Sequence, residues 1–210
     1  MGPGAPAKLE VNDLFCSRDD RQLFFGLSFR MQPGNVLLLE GSNGSGKTTL
    51  LRILCGFREA DGGEIRWSGQ PIEESAYFAE MAYVGHADGI KKELTVLENL
   101  RFALALRRPG SYSIDQALEK VRLAGFDDNP VQTLSAGQKR RLSLARLLIT
   151  DAKLWILDEP FTSLDRRGID LIESLIDDHV KLGGMVILTS HHDLSLPHTY
   201  LQRIHLDSCH

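Results

Sequence analysis

The stretch Gly41-Ser42-Asn43-Gly44-Ser45-Gly46-Lys47-Thr48-Thr49 constrains this chain more than any other. It satisfies the pattern G-x-x-x-x-G-K-[ST], with Gly41, Gly46, Lys47 and Thr48 at the fixed positions. The apolar residues Val36 to Leu39 before it predict a buried strand. Leu50, Leu51, Ile53 and Leu54 behind it keep the spacing of a helix packed on that strand. A loop between strand and helix aims several backbone N–H groups at one point, with the positive end of the helix behind them, and so forms a seat for phosphate. In such a loop Lys47 reaches the β- and γ-phosphates of a nucleotide, and the Thr48 hydroxyl holds Mg²⁺. The competing explanation is a glycine-rich turn with a chance lysine. At average glycine usage the four fixed residues recur by luck in roughly one chain of this size in a hundred, and the strand–loop–helix order lowers that further.

At 210 residues the chain is long enough to bury a sizeable core without staples. Its 24 Lys and Arg against 28 Asp and Glu leave a net charge of −4, which gives no electrostatic case for gripping nucleic acid. Cys16, Cys55 and Cys209 are scattered and form no CxxC pair, so they read as buried or idle thiols. No apolar run approaches the ~18 residues of a membrane span. The opening MGPGAPAKLE has neither the basic nor the apolar region of a signal peptide, and reads as a loose tail. Gly2 lacks the Ser/Thr that N-myristoylation expects, and the sequon Asn43-Gly44-Ser45 lies inside the phosphate loop.

Strand character is expected over Leu9–Phe15, Leu27–Met31, Val36–Glu40, Glu64–Trp67 and Ala82–Val84. It returns at Leu154–Leu157 and Met185–Thr189, both continuous apolar runs of the parallel-sheet kind. Between Val96 and Thr150 the period becomes helical. Val96, Leu97, Leu100, Leu104 and Ala105 form one stripe, Val121, Leu123 and Ala124 suggest a second helix, and Leu142, Leu144, Leu147 and Leu148 a third. Arg107 to Ser111 reads as a loop within that block. The fold class is therefore α/β, a sheet with a helical block inserted.

Asp158, at the end of the run Leu154 to Leu157, is placed to hold Mg²⁺ directly or through water. Glu159, one residue on, can act as general base on an attacking water. A strand ending in a solvated acidic turn is the alternative, which the phosphate loop disfavours. In Leu134-Ser135-Ala136-Gly137-Gln138, Ser135 is a good N-cap for a following helix and glycine permits close approach.

These motifs together resemble the ATP-binding cassette ATPases, and the resemblance covers Leu9 to about Leu206. LSAGQ is similar to the family's LSGGQ signature, with Ala136 in place of the first glycine, and Asp158 follows Gln138 at the family's spacing. Phe161 to Asp165 resembles the D-loop, which implies Asp165 at a dimer seam. His191 matches the switch histidine that senses the γ-phosphate, ahead of His192. Two positions depart from the pattern. His86 stands where the family has a glutamine lever. The residue expected to stack on adenine is Arg18, with Phe15 the other candidate.

The resemblance implies a P-loop NTPase (RecA-like) core sheet with an inserted helical subdomain. One domain, 1–210, would comprise a core lobe of about 8–85 and 151–206 and a helical subdomain of about 86–150. ATP and Mg²⁺ are the implied cofactors. Two copies would close head to tail, each nucleotide lying between one copy's Lys47 and the other's Ser135, Gly137 and Gln138. His86, Gly89-Ile90-Lys91, LTVLENL and the tryptophan of LWILDEP further resemble the ATPase subunit of the bacterial cytochrome c biogenesis haem exporter. That subfamily implies a homodimer on integral membrane permease subunits, peripheral to the cytoplasmic face of the inner membrane and touching the membrane only through the permease. A non-transport cassette ATPase acting on DNA or ribosomes is the alternative class. It is disfavoured by the charge balance, the single phosphate loop and the lack of a long coiled coil. A small P-loop kinase leaves LSAGQ and FTSLD unexplained.

Overall fold

The computed structural model describes residues 8–18, 21–85, 89–162, 164–192, 194–196 and 200–208. The apolar run ahead of the phosphate loop forms β3 (Val36–Glu40), preceded by the hairpin strands β1 (Leu9–Arg18) and β2 (Arg21–Met31). Helix α1 (Lys47–Leu54), β4 (Gly62–Trp67), β5 (Gln70–Pro71), α2 (Tyr77–Glu80) and β6 (Met81–Val84) follow. Three helices come next, α3 (Val96–Leu106), α4 (Ile114–Lys120) and α5 (Ala136–Leu148). Then come β7 (Leu154–Leu157), α6 (Arg166–Lys181), β8 (Met185–Thr189) and β9 (Leu201–His205).

The strands make two sheets. One is antiparallel, ordered β2-β1-β4-β5, and the other is ordered β6-β7-β8-β3-β9 with every pairing parallel. Side chains alternate across the parallel sheet. Val36, Leu38, Val84, Trp155, Leu157, Val186 and Leu188 pack on one face, among residues from α3, α4, α5 and α6. Leu37, Leu39, Met81, Leu154, Ile156, Met185 and Ile187 pack on the other, among residues from α1 and the antiparallel sheet. Both faces are buried, so these strands read as unbroken apolar runs. Truncating one such leucine to alanine costs about 2–5 kcal/mol.

Local signals set the helix starts. Thr95 with Glu98, Ser113 with Gln116, and Ser135 with Gln138 each close a reciprocal capping box at the head of α3, α4 and α5. The helix expected around Val121 to Ala124 is instead α4, which the Ser113 cap starts seven residues earlier than Val121 and which ends at Lys120. Val121 caps it, and Arg122 takes a left-handed φ of 57°, so Leu123 reaches the core from a turn. Strand β9 was not expected. Among the described residues no helix is long and apolar enough to cross a membrane.

The parallel register decides where chemistry can occur. Glu40, Val84, Leu157, Thr189 and His205 end their strands along one edge of the sheet. The phosphate loop, Gly85, Asp158-Glu159, Ser190-His191 and Leu206-Asp207 therefore emerge side by side there. An open parallel sheet binds ligands in this crevice, beyond the carboxyl ends of its strands.

Candidate active site

A cavity of about 730 Å³ opens at that edge, lined by Arg18, Arg21, Leu23, Asn43, Gly44, Gly46, Lys47, Thr48, Thr49, Asp158, Glu159, Thr162 and His191. Its floor is the phosphate loop. Gly46 caps α1 at φ 101°, a conformation that glycine adopts without penalty, and a Cβ there would lie 3.2 Å from Leu23 and Phe24. The Lys47 ammonium donates to the carbonyls of Gly41 at 2.6 Å and Ser42 at 3.0 Å, folded back along its own loop. Gly41 and Ser42 are not among the residues that line the cavity. Ser45 is buried, and its hydroxyl finds no hydrogen-bond partner among the described residues.

Opposite the loop stands the turn after β7. The Thr48 hydroxyl donates to Asp158 Oδ2 at 3.4 Å. Asp158 Oδ1 accepts from the Thr189 hydroxyl at 2.8 Å, and the same Thr189 oxygen accepts the Glu159 N–H at 2.9 Å. Glu159 holds a left-handed φ of 51°. A non-glycine residue in that region costs about 1–3 kcal/mol and persists only where its surroundings enforce it. The enforcing partner includes Arg140, 4% exposed, which donates to the carbonyls of Glu159 at 2.7 Å and Gly85 at 2.8 Å. The turn is thus tied to the helix that Ser135 caps. His191 Nε2 stands 3.5 Å from Glu159 Oε1 at the lip of the cavity.

Ser135, Gly137 and Asp165 do not line this cavity. They line a second one of about 450 Å³ with Arg122, Ala136, Arg141, Leu164, Arg167, Gly168 and Leu171. Gln138 is occupied locally, its amide oxygen accepting the Ser135 N–H at 2.8 Å. The Asp165 carboxylate accepts the Gly168 N–H at 2.8 Å and so caps α6. Of the two adenine candidates, Arg18 lines the phosphate-loop cavity. Phe15 is packed against Phe25, ring centroids 5.7 Å apart, and its ring fills the space where Gly62 lacks a side chain. His192 lies against the Phe161 ring, centroids 5.5 Å apart, outside the cavity lining. His86 lies outside the described residues.

Sequence reasoning missed Thr189, Arg140, Arg21 and Asp207. Arg140 stood inside the LSAGQKRR segment but carried no signal of its own, and Thr189 read only as the end of a strand. Cys16 and Cys55 are buried, free thiols; burial, with a further contribution from Asp158, pushes Cys55 up to about 12.

Residues 24–162 match the family model described as ABC transporter. The chain is 50% identical over 194 residues to the cytochrome c biogenesis ATP-binding export protein CcmA of Methylococcus capsulatus, covering 90% of this chain and 94% of that protein. It is 47% identical over 201 residues to the protein of the same name from Escherichia coli K12, covering 94% and 96%. Among solved structures it resembles a putative ABC transporter ATP-binding protein from Pyrococcus furiosus, with a TM-score of 0.83 and 26% identity over 96% of this chain and 98% of that one. It also resembles cbiO1 from Clostridium perfringens, part of the ABC transporter complex cbiONQ, with a TM-score of 0.76 and 26% identity over 91% and 81%.

Proposed function

The chain belongs to the ABC transporter family of ATPases, and from that premise we propose that it is the ATP-hydrolysing, energy-coupling subunit of a haem exporter serving cytochrome c biogenesis. The observation that carries the hydrolytic reading is the approach of His191 to Glu159, 3.5 Å apart, on the cavity wall facing the phosphate loop. Glu159 takes the proton of the attacking water, and His191 holds the γ-phosphate end of the nucleotide beside it. Lys47 exchanges its two loop carbonyls for the β- and γ-phosphates, and the loop N–H groups take the remaining oxygens. Arg18 offers a guanidinium plane on which adenine can stack.

The residues fit Mg²⁺. Thr48 and Asp158 bring two hard oxygen donors within 3.4 Å of each other, and among the described residues no group of three or more His, Cys, Asp or Glu forms a dedicated cage. Mg²⁺ takes one or two protein oxygens beside substrate phosphates and keeps its waters. Thr48 and Asp158 would hold it, and its charge would offset that of the phosphates.

Two copies close head to tail on ATP. The placement of Ser135, Gly137 and Asp165 on a cavity apart from their own phosphate loop supports this, since they are free to face another chain's nucleotide. Each copy comprises a core lobe of about 8–85 and 151–206 and a helical lobe of about 86–150, and His86 stands in the sequence where the family has its glutamine lever. Hydrolysis reopens the dimer and drives permease subunits in the bacterial inner membrane, to whose cytoplasmic face the ATPase binds. Affinity purification of the tagged chain from native membranes tests this. Co-purification of multispanning proteins is expected, and recovery with ribosomes or DNA instead would overturn it.

A further inference from the structure

The strand that sequence reasoning missed does more than close the sheet. β9 pairs with β3 in parallel register from Val36↔Leu201 to Glu40↔His205, which brings the chain after β9 alongside the entry to the phosphate loop. Arg203 Nη1 lies 2.6 Å from Glu40 Oε1, and His205 Nε2 lies 2.9 Å from Glu40 Oε2. One step beyond, the two oxygens of Asp207 divide between two donors of a single residue. Oδ2 accepts the Ser42 N–H at 2.8 Å, and Oδ1 accepts the Ser42 hydroxyl at 2.8 Å. The approach is close enough that a Cβ on Gly41 would lie 3.3 Å from Asp207 Oδ2.

We infer that Asp207 is a positioning residue for the phosphate loop: by gripping Ser42 at both its N–H and its hydroxyl, it fixes the first peptides of the loop in the form that receives a nucleoside triphosphate. The inference rests on the reading of this loop as the ATP site. Its physical basis is which groups each side of Ser42 serves. The Ser42 N–H and the Gly41 carbonyl belong to one trans peptide and point opposite ways, so with that N–H held by Asp207 the Gly41 carbonyl is left, beside that of Ser42, to hold the Lys47 ammonium. Gly41, Ser42 and Asp207 are not among the residues that line the cavity, to which the loop contributes Asn43, Gly44, Gly46, Lys47, Thr48 and Thr49. The carboxylate therefore acts through Ser42 and does not touch the phosphates. Freed of it, the Ser42 peptide can rotate, and the loop must be ordered again at the expense of nucleotide binding. The hydrolytic group is built at the ends of β7 and β8, where Asp158, Glu159, Thr189 and His191 hold one another, so turnover on a filled site is expected to persist.

Titration of the purified full chain with ATP, by calorimetry, together with steady-state turnover and melting temperature, tests the assignment. Asp207→Ala is expected to weaken ATP binding about three- to tenfold, the scale of one or two solvent-accessible hydrogen bonds. Its saturated turnover is expected to stay within about twofold of the parent. Asp207→Asn keeps an acceptor for the Ser42 N–H and should restore most of the affinity. Ser42→Ala combined with Asp207→Ala should bind no more weakly than Asp207→Ala alone, since the two changes break one contact. Unchanged affinity in Asp207→Ala would overturn the inference. So would equal losses of affinity and turnover accompanied by a lowered melting temperature in both Asp207 variants, which marks a general structural role. A parent chain that fails to bind ATP in the same titration would overturn the nucleotide reading itself, a result distinct from either.

Discussion

The Thr189 hydroxyl donates to Asp158 at 2.8 Å, so that the end of β8 fixes the carboxylate at the end of β7. The same hydroxyl oxygen accepts the Glu159 N–H at 2.9 Å, and Thr189 is fully buried. One side chain therefore orients both acids. Thr189→Val preserves shape but leaves a buried N–H and a carboxylate oxygen without this partner. Saturated turnover should fall about tenfold or more, because both acids lose the group that positions them, and the unsatisfied buried groups should lower stability by about 1–3 kcal/mol each. Thr189→Ser should recover most of it. Steady-state kinetics at saturating ATP checks this, and parental turnover in Thr189→Val would refute the role.

The separation of the signature residues from the phosphate loop in one chain leads to a mixing experiment. Lys47→Ala and Ser135→Arg chains are each expected to be inactive alone. Mixed, they form dimers in which one site joins an intact Lys47 to an intact Ser135, and part of the activity should return. Full-rate hydrolysis by chains shown to be monomeric during the assay would contradict the shared site.

What could be read from sequence and what could not divide along physical lines. β3, β7 and β8 were legible because both their faces are buried, which leaves unbroken apolar runs. β9 was not, because only Leu201 and Ile204 of its five residues are half-buried and its place depends on backbone pairing to β3. Val121 and Leu123 are fully buried, but from the cap and turn after α4, so apolar spacing suggested helix where Arg122 bends the chain back. The phosphate loop and the Asp158-Glu159 pair are contiguous residues, and contiguity makes a pattern. Thr189 with Asp158, Arg140 with Glu159, and Asp207 with Ser42 span 31, 19 and 165 residues, and nothing in the sequence announces that the fold closes those distances.

His179 offers a pH dependence of stability. Its ring stacks on Trp155 with centroids 3.9 Å apart, and burial pulls its pKa down to about 4, opposed by the backbone of Lys153 and Met185. The unfolded chain takes up this proton near pH 6.5 while the folded chain refuses it until about pH 4. Stability is therefore lost as pH falls through that window, by about 2 kcal/mol between pH 7 and pH 5. In His179→Gln that share of the loss should vanish, whatever the variant's absolute stability. Urea unfolding at the two pH values measures it, and equal pH losses in parent and variant would exclude His179 as the source.

The two buried cysteines should resist alkylation. Cys55, held up to about 12, has almost no thiolate at neutral pH, and Cys16 is likewise raised by burial. In a Cys209→Ser background, the folded protein should take up iodoacetamide far more slowly than the urea-unfolded chain. Labelling of either cysteine at the unfolded rate would show that the surrounding core opens readily.

Phosphate release by the chain assembled with its membrane partners, in Mg²⁺ and saturating ATP, tests the hydrolytic account most directly when parent and Glu159→Gln are compared. Glutamine keeps the shape of the side chain and removes the base. Turnover should fall by about 10²–10⁴, the usual contribution of a general base, while ATP binding is retained and closed dimers accumulate. Turnover in Glu159→Gln within about threefold of the parent would contradict the account, since a loss that small falls well below the contribution of a general base.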